Sequence, residues 1–530
     1  MPESSGAESA NEVKLVQEQL TDVEIARTQL KQRWDSLKNR DLFNLLMTTL
    51  PRILGAERCS VFILDPNRSE IWLEAGTGVV QRQICVAPES SMVGRAILNR
   101  QPVRAEGLKS KAGAHVEVGG QLHYEVDSAL TVPVIDDKSG RAVGALQVLN
   151  KTGAARFSDA DEELLKEIAF TIEPSILQLY DSQQILREAE LMDREIAILR
   201  DREKALRPGH MFRTFEPLGR IESKGFLHTR YHEKNYPPFI NPESTQHLKS
   251  TWDTDANDIL ICTHQKVGTH LAKKLLVELV IANASHREAL PYGDGDIGHG
   301  AVPWPEVTIS QEGESAWMAF MARTQLVPRL WYTHCAYEDL PCRRIHPKSK
   351  FVVVVREPKA AAVSQFYFWM RHPLLGVDPR LEIDAFADLF ARGVLYFGGY
   401  HQHAAGWVHR IDNQIHDNQV CLLFYEDMVE KKTETIEKLQ AFLYPGRSIS
   451  PENVAAIAAA SEFNAMKEDI TSNPRSFHLN PQLYFRSGTT DDWKQKLTPH
   501  AMRVIDEATR RHWGNGLAAR TMQRYLAAAG

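Results

Sequence analysis

Lys266, Gly268 and Thr269 lie in the run HQKVGTH, between the apolar DILICT and the helix-like LAKKLLVELVIA. A strand, a small-residue loop and a helix start form an anion cradle, because the first N–H groups of a helix lack partners within it and point outward. Lys266 adds a full charge there. The lysine precedes the glycine, so the run is not the nucleotide-triphosphatase loop G-x-x-x-x-G-K-[ST]. A loop lysine is ordinarily just solvated, and the cradle gains meaning only if other residues converge on it. KFVVVVREPKAAAVSQFYFWM offers Arg356 at the end of a strand, and Ser364 eight residues on, a little over two helical turns and near the same face. VCLLFYEDM ends a strand at Tyr425, SEFNAMK carries Ser461, Phe463 and Met466, and YFRSGTTDDWK carries Arg486, Gly488 and Trp493. LWYTHCAYEDLP places His334 between the first two strand motifs.

In this order, over about residues 225 to 525, the segments resemble the cytosolic-type sulfotransferases, which move a sulfuryl group from 3′-phosphoadenosine 5′-phosphosulfate (PAPS) to a hydroxyl or amine and release 3′-phosphoadenosine 5′-phosphate (PAP). The resemblance implies that Lys266, Gly268 and Thr269 hold the 5′-phosphosulfate and that Arg356, Ser364 and Arg486 hold the 3′-phosphate. It implies that Tyr425 and Phe463 frame the adenine with Ser461 beside it, that Gly488 belongs to the same cofactor-binding segment, and that His334 is the general base. The chemistry suits the types: the planar arginine fork makes paired hydrogen bonds to phosphate, and a compact ammonium can follow charge onto a leaving phosphate. An imidazole can take a hydroxyl proton as the oxygen attacks sulfur in line. No metal is expected.

This sequence departs from the family pattern. His270 and Leu271 stand where the family usually has threonine and tryptophan, Gln265 replaces a proline, Tyr332 a lysine, and Ser487 a second lysine. Two absent cations weaken charge stabilisation by about 1–3 kcal/mol each if nothing replaces them. Trp369, Phe366, Phe368, Tyr396 and Phe397 are candidates for an apolar acceptor cleft, or else core.

The N-terminal half reads differently. SVFILD and EIWLEAG are strand-like runs, LTVPVID and AVGALQVLN form a hairpin about DKSG, and DADEELLKEIAFTIEPSI is an amphipathic helix. Asn150-Lys151, Phe157 and Asp161-Glu162 reproduce a signature of cyclic-nucleotide-binding GAF domains, and residues 36 to 182 resemble that sensor module. Lys151 at a strand end and Asp161 at a helix start could pair across the loop as a clasp. The resemblance implies support for a lid, with a cyclic nucleotide, another small ligand or none beneath it.

Heptad-like stripes bracket this segment: Val13, Val16, Leu20, Val23, Leu30, Trp34 and Leu37, interrupted by Arg27, and Ile185, Ala189, Met192, Ile196, Leu199 and Leu206. Each packs on its own domain or zips protomers into a parallel coiled-coil homodimer. Pro208 and Gly209 end the second. The expected organisation is an N-terminal helix (1–35), a GAF domain of α+β type (36–182), a helical connector and linker (183–224), and an α/β, P-loop-like sulfotransferase domain with a parallel sheet (225–530).

Composition agrees with a folded multidomain chain: 530 residues, 43% hydrophobic and 25% charged. A net charge of −6 gives no basic excess for nucleic-acid binding. Six scattered cysteines read as reduced thiols, MPESSGAESANEVK has no apolar signal core, and no run is long enough to span a membrane, so a cytoplasmic location is expected. The leading reading is a PAPS-dependent sulfotransferase with a small-molecule acceptor, regulated through the GAF segment. The alternative is a catalytically degenerate nucleotide-binding scaffold signalling through GAF-driven dimerisation. The lysine position disfavours a P-loop kinase.

Overall fold

Alternating apolar residues in the N-terminal half make strands with two usable faces. The computed structural model describes residues 3–35, 40–65, 70–77, 84–86, 88, 91–110, 124–153, 156–206, 212, 214–222, 226–285, 290–293, 295–324, 328–412, 419–472, 479–480 and 483–529. Two compact units emerge, residues 22–194 and residues 1–21 with 195–530.

The first unit is built on a six-stranded sheet ordered β3-β2-β1-β6-β5-β4. Its strands are β1 (Ala56–Asp65), β2 (Glu70–Gly76), β3 (Cys85–Val86), β4 (Val103–Ala105), β5 (Ala129–Ile135) and β6 (Ala142–Lys151), with antiparallel pairing throughout. Val61, Ile63, Val132, Leu146 and Val148 pack on Leu50, Leu165 and Ile172. Phe62, Leu73 and Ala145, on the other face, pack on Val93 and Ile97 of the helix Met92–Asn99. Strands approach closely at Gly144, where a Cβ would lie 2.4 Å from the Phe62 carbonyl oxygen.

One helix of 47 residues runs from Asp159 to Ala205. The division expected at 182/183 falls inside it, and Pro208 and Gly209 lie outside the described residues. The helix Glu3–Asp35 runs antiparallel to it: Arg27 Nη2 donates to Asp193 Oδ2 (3.1 Å) in the first unit, and Gln17 Nε2 donates to Glu203 Oε1 (2.7 Å) in the second. The two stripes are thus neighbours within one chain, an arrangement neither sequence-based alternative anticipated. Val16, Ile196 and Leu199 are buried.

The second unit holds a four-stranded parallel sheet of order β11-β10-β12-β13. These strands are β10 (Asp258–Thr263), β11 (Arg329–Thr333), β12 (Lys350–Val355) and β13 (Val420–Phe424). Helices cover both faces, which is why the strands read as continuous apolar runs. A short antiparallel ribbon, β7 (Gly219–Arg220), β8 (Leu227–Tyr231) and β9 (Lys234–Tyr236), precedes the sheet. The chain leaves β10 toward β11 on one side and resumes at β12 on the other, so a crevice opens at the carboxyl ends of β10 and β12.

The opposite end of β10 is pinned by charge. Asp258 is inaccessible, and its Oδ1 accepts from Arg329 Nε (2.6 Å) and Trp331 Nε1 (2.9 Å). Burial raises the pKa of this carboxyl even against those bonds. Removing one partner of a buried pair leaves an uncompensated charge, so Arg329→Met should lower the stability of this unit by about 3–5 kcal/mol in urea unfolding. A loss below about 1 kcal/mol would show that the pair does not pin the sheet.

Candidate active site

The crevice deepens into a cavity of about 270 Å³ whose lining includes Lys266, Gly268, Thr269, His334, Arg356, Ser364, Tyr425, Ser461, Phe463, Arg486 and Gly488. Every residue singled out in the C-terminal half for donor binding or catalysis therefore meets at one place. They come from β10, β11, β12, the end of β13 and two later segments.

Backbone geometry shapes the cradle. Lys266 sits at φ 63° and Gly268 at φ 111°, both left-handed, which is strained for a lysine and open to glycine. A Cβ at Gly268 would lie 2.5 Å from Tyr425 Cδ2, so the tyrosine ring closes directly on the loop. The helix Thr269–Asn283 starts there, and Thr269 Oγ1 bonds Thr263 Oγ1 at 2.8 Å. Lys266 Nζ stands over the rings of Phe368 (4.3 Å) and Tyr484 (6.0 Å). Burial, with the charges of Arg356, Arg486 and Arg371, pulls its pKa down to about 7.

Arg356 spans the crevice floor. Its Nη1 donates to the Lys266 carbonyl (3.0 Å), its guanidinium lies 4.2 Å from the Tyr425 ring centre, and its buried Nε has no acceptor among the described residues. Arg486 pairs with Asp492 (2.5 Å) and lies over Tyr367. Gly488 (φ 70°) meets Phe463, where a Cβ would come within 2.7 Å of the ring. An unsatisfied buried donor, a glycine cradle and several cations fit a multiply charged anion.

His334 follows β11. Its Nδ1 is 2.7 Å from the Thr263 carbonyl, so that nitrogen carries the proton and Nε2 keeps its lone pair. Trp304, Phe397 and Tyr332 surround the ring, and burial lowers its pKa to about 3, which keeps it neutral. On either side, Glu306 accepts from Thr333 Oγ1 and, at 3.0 Å, from Cys335 Sγ. Of the five aromatic candidates, Phe368 and Trp369 line the cavity, Phe366 and Tyr396 belong to the core, and Phe397 packs on His334.

Lys273, which the sequence reading did not single out, lies behind the Tyr332 ring and is not among the residues lining the cavity. It stands one turn beyond Thr269, is almost wholly buried, and holds Nζ 4.4 Å from the centre of the Tyr332 ring that replaces the expected lysine. Burial lowers its pKa to about 7 while Asp296 raises it, and its charge depresses the pKa of His270 and His334. Its helical spacing from Thr269 was the only available signal. Among the described residues, no group of three or more His, Cys, Asp and Glu side chains is placed to hold a metal.

In the first unit, the signature residues bind one another's surroundings. Asn150, at φ 55°, has Nδ2 2.9 Å from Glu57 Oε2, the Tyr124 hydroxyl and the Glu125 carbonyl, which share its two hydrogens, and its Oδ1 accepts from Asp127 N (2.8 Å). Lys151 Nζ reaches Asp161 Oδ1 (2.8 Å) and the Leu54 carbonyl (2.9 Å), and Asp161 Oδ2 accepts from Ser158 N and Oγ. Burial opposes ionisation of Asp161, but these bonds outweigh it and lower its pKa. Phe157 is buried and Glu162 holds Arg104 (2.7 Å).

The depressed Lys266 pKa has a consequence for anion binding. An anion in the cradle raises that pKa, so above pH 7 binding must take up a proton and affinity must fall as pH rises, by at most tenfold per unit for one group. Calorimetry with PAP at pH 6.5 and 8.5, in buffers of different ionisation enthalpy, should show small proton uptake at the lower pH and several-fold more at the higher. Lys266→Arg, always charged, should reduce it; unchanged uptake in that variant would assign the proton elsewhere.

Comparison with known proteins places both units. The sulfotransferase domain model matches residues 256–523, and the GAF domain model matches residues 39–176. Sulfotransferase 6B1 of Danio rerio is 28% identical over 273 residues, which are 51% of this chain and 83% of that protein. Sulfotransferase 1A1 of Canis lupus familiaris is 29% identical over 289 residues, 52% of this chain and 90% of that protein. Among solved structures, mouse sulfotransferase SULT7A1 complexed with PAP is 24% identical, covers 57% of this chain and 99% of its own, and has a TM-score of 0.44. The GAF domain of an Acinetobacter phosphoenolpyruvate-protein phosphotransferase is 19% identical over 31% of this chain and 98% of its own, with a TM-score of 0.23. The chain belongs to the sulfotransferase family and carries a GAF domain ahead of its sulfotransferase domain.

Proposed function

We propose that this protein transfers the sulfuryl group of PAPS to the hydroxyl or amine of a small-molecule acceptor, and that a small ligand at the GAF domain regulates the reaction. The observation that supports the first part best is the convergence of Lys266, Arg356, Arg486 and a neutral His334 on one cavity. PAPS, when bound, supplies the sulfur: its bond to the phosphate oxygen breaks as the acceptor's bond forms, and PAP leaves.

The residues divide the work by chemistry. His334 Nε2 takes the acceptor proton, while the Thr263 carbonyl fixes the opposite nitrogen and orients the ring. A base with so low a pKa in the free site is always unprotonated, and negative charge brought into the cavity raises its proton affinity. Lys266 neutralises charge that develops on the departing phosphate, and its cation–π contacts hold it in a position where water is scarce. Lys273 offers a second cation beside Tyr332. Arg356 and Arg486 grip the second phosphate, with Ser364 beside them. Tyr425, Phe463 and Ser461 frame the adenine, and Gly268 and Gly488 let those rings approach.

For the GAF domain, the clasp from Lys151 to Asp161 holds β6 to the start of the long helix, where ligand-dependent strain could enter that helix. A cyclic nucleotide is the first ligand class to test. The homodimer has a narrower basis, since the heptad stripes run beside each other within one chain.

An acceptor screen with PAPS tests the reading. Wild type should transfer sulfate, and His334→Ala should lose at least about 100-fold in kcat while binding PAP within a few-fold of wild type. Equal turnover by His334→Ala would remove the base. Cyclic GMP or cyclic AMP should change wild-type turnover; if neither binds nor alters it, the cyclic-nucleotide assignment falls.

A further inference from the structure

The long helix that leaves the GAF domain ends against the wall of the cavity, and its last turns make specific contacts there. Arg202 is buried, and its Nη2 donates to the Met370 carbonyl (3.2 Å) near the end of the helix Pro358–Arg371. Asp201 pairs with Arg371 (3.5 Å), which lines the cavity and whose charge reaches Lys266. The terminal carbonyls of a helix lack partners within it. Here Asn480 supplies them, donating from N to the Ala205 carbonyl (2.9 Å) and from Nδ2 to the Lys204 carbonyl (2.5 Å).

These contacts lead to Lys266 in two steps. Ala205 packs with Leu479 and Leu483 in a small apolar cluster, against which Phe368 and Tyr484 lie. Phe368 and Tyr484 are the rings beneath the Lys266 ammonium. Leu483 N donates to the Asn480 carbonyl (3.0 Å), so the residue capping the helix is tied to the segment that runs on through Tyr484, Phe485 and Arg486 into the cavity. Burial, and after it the charges of Arg202 and Lys266, lower the pKa of His372, which stacks on Phe239 and meets Phe368 edge-on in the cavity wall.

We propose that Arg202 and the last turn of the long helix are positioning elements of the donor site, setting where Phe368 and Tyr484 stand and hence how Lys266 meets the donor's phosphosulfate. This inference rests on the proposed donor chemistry and adds to it a physical port: movement of the helix end shifts the cation cage before it reaches any other catalytic group. Coupling of this kind is reciprocal, so occupying the donor site must steady the helix end.

Hydrogen exchange of the full-length protein with PAP, and with ADP as control, tests this in the wild type. PAP should slow exchange at Lys266–Leu271 and also at Arg202–Leu206 and Leu479–Leu483. Protection at the cradle with no change at the helix end overturns the inference and leaves the donor reading standing. No protection anywhere overturns both. Arg202→Met should weaken PAP binding about tenfold, Arg202→Lys should recover most of it, and Arg380→Gln, which breaks an exposed pair with Glu195 on the same helix, should leave it unchanged. Equal weakening by Arg202→Met and Arg380→Gln would mean general loosening and would also overturn the inference.

Discussion

Four cations, Lys266, Arg356, Arg371 and Arg486, crowd one cavity whose protein carboxylates are few. Burial and mutual repulsion oppose this arrangement, and the price appears in the Lys266 pKa of about 7. Such a cluster is stable only if the scaffold imposes it. Each cation is therefore held by a partner: Arg356 by the Lys266 carbonyl and the Tyr425 ring, Arg371 by Asp201, Arg486 by Asp492, and Lys266 by its two aromatic faces. A multiply charged anion relieves the repulsion on binding, which is how stored electrostatic strain becomes affinity and specificity.

The fold supplies that rigidity through a parallel sheet buried on both faces. β10 carries the cradle at its carboxyl end and the buried Asp258 at its amino end, so the strand is fixed at the end remote from the chemistry. The same strand's Thr263 links His334 to the cradle. Its carbonyl orients His334, and its hydroxyl bonds Thr269 at the start of the cradle helix. His334 and the cradle helix thus share one residue, and a shift in β10 moves both together.

Much of this was legible in the sequence because anion chemistry is local: a strand end, a small-residue loop and a helix start occupy consecutive residues. HQKVGTH and KFVVVVREPK place Lys266 and Arg356 with little help from tertiary structure. Lys273 was not legible, since its relevance arises from a ring contributed by β11. Arg202 was hidden for a different reason. In a charged heptad-patterned helix an arginine reads as solvated, and only packing shows it buried against the Met370 carbonyl. The two stripes likewise had apolar periodicity without a partner label, and their antiparallel neighbourhood came from tertiary structure. The GAF signature was read as a clasp, and Lys151 and Asp161 do meet across the loop.

On the proposed reading, the cavity is built for the two phosphates of a 3′-phosphoadenosine donor. The most direct measurement is a calorimetric titration of the full-length protein with PAP, alongside ADP, in wild type and Arg356→Ala, with each protein's unfolding midpoint recorded. Micromolar PAP binding, far weaker ADP binding, and loss of PAP binding in a folded Arg356→Ala variant are the expected results. Equal affinity for PAP and ADP, or PAP binding indifferent to Arg356, would contradict the claim.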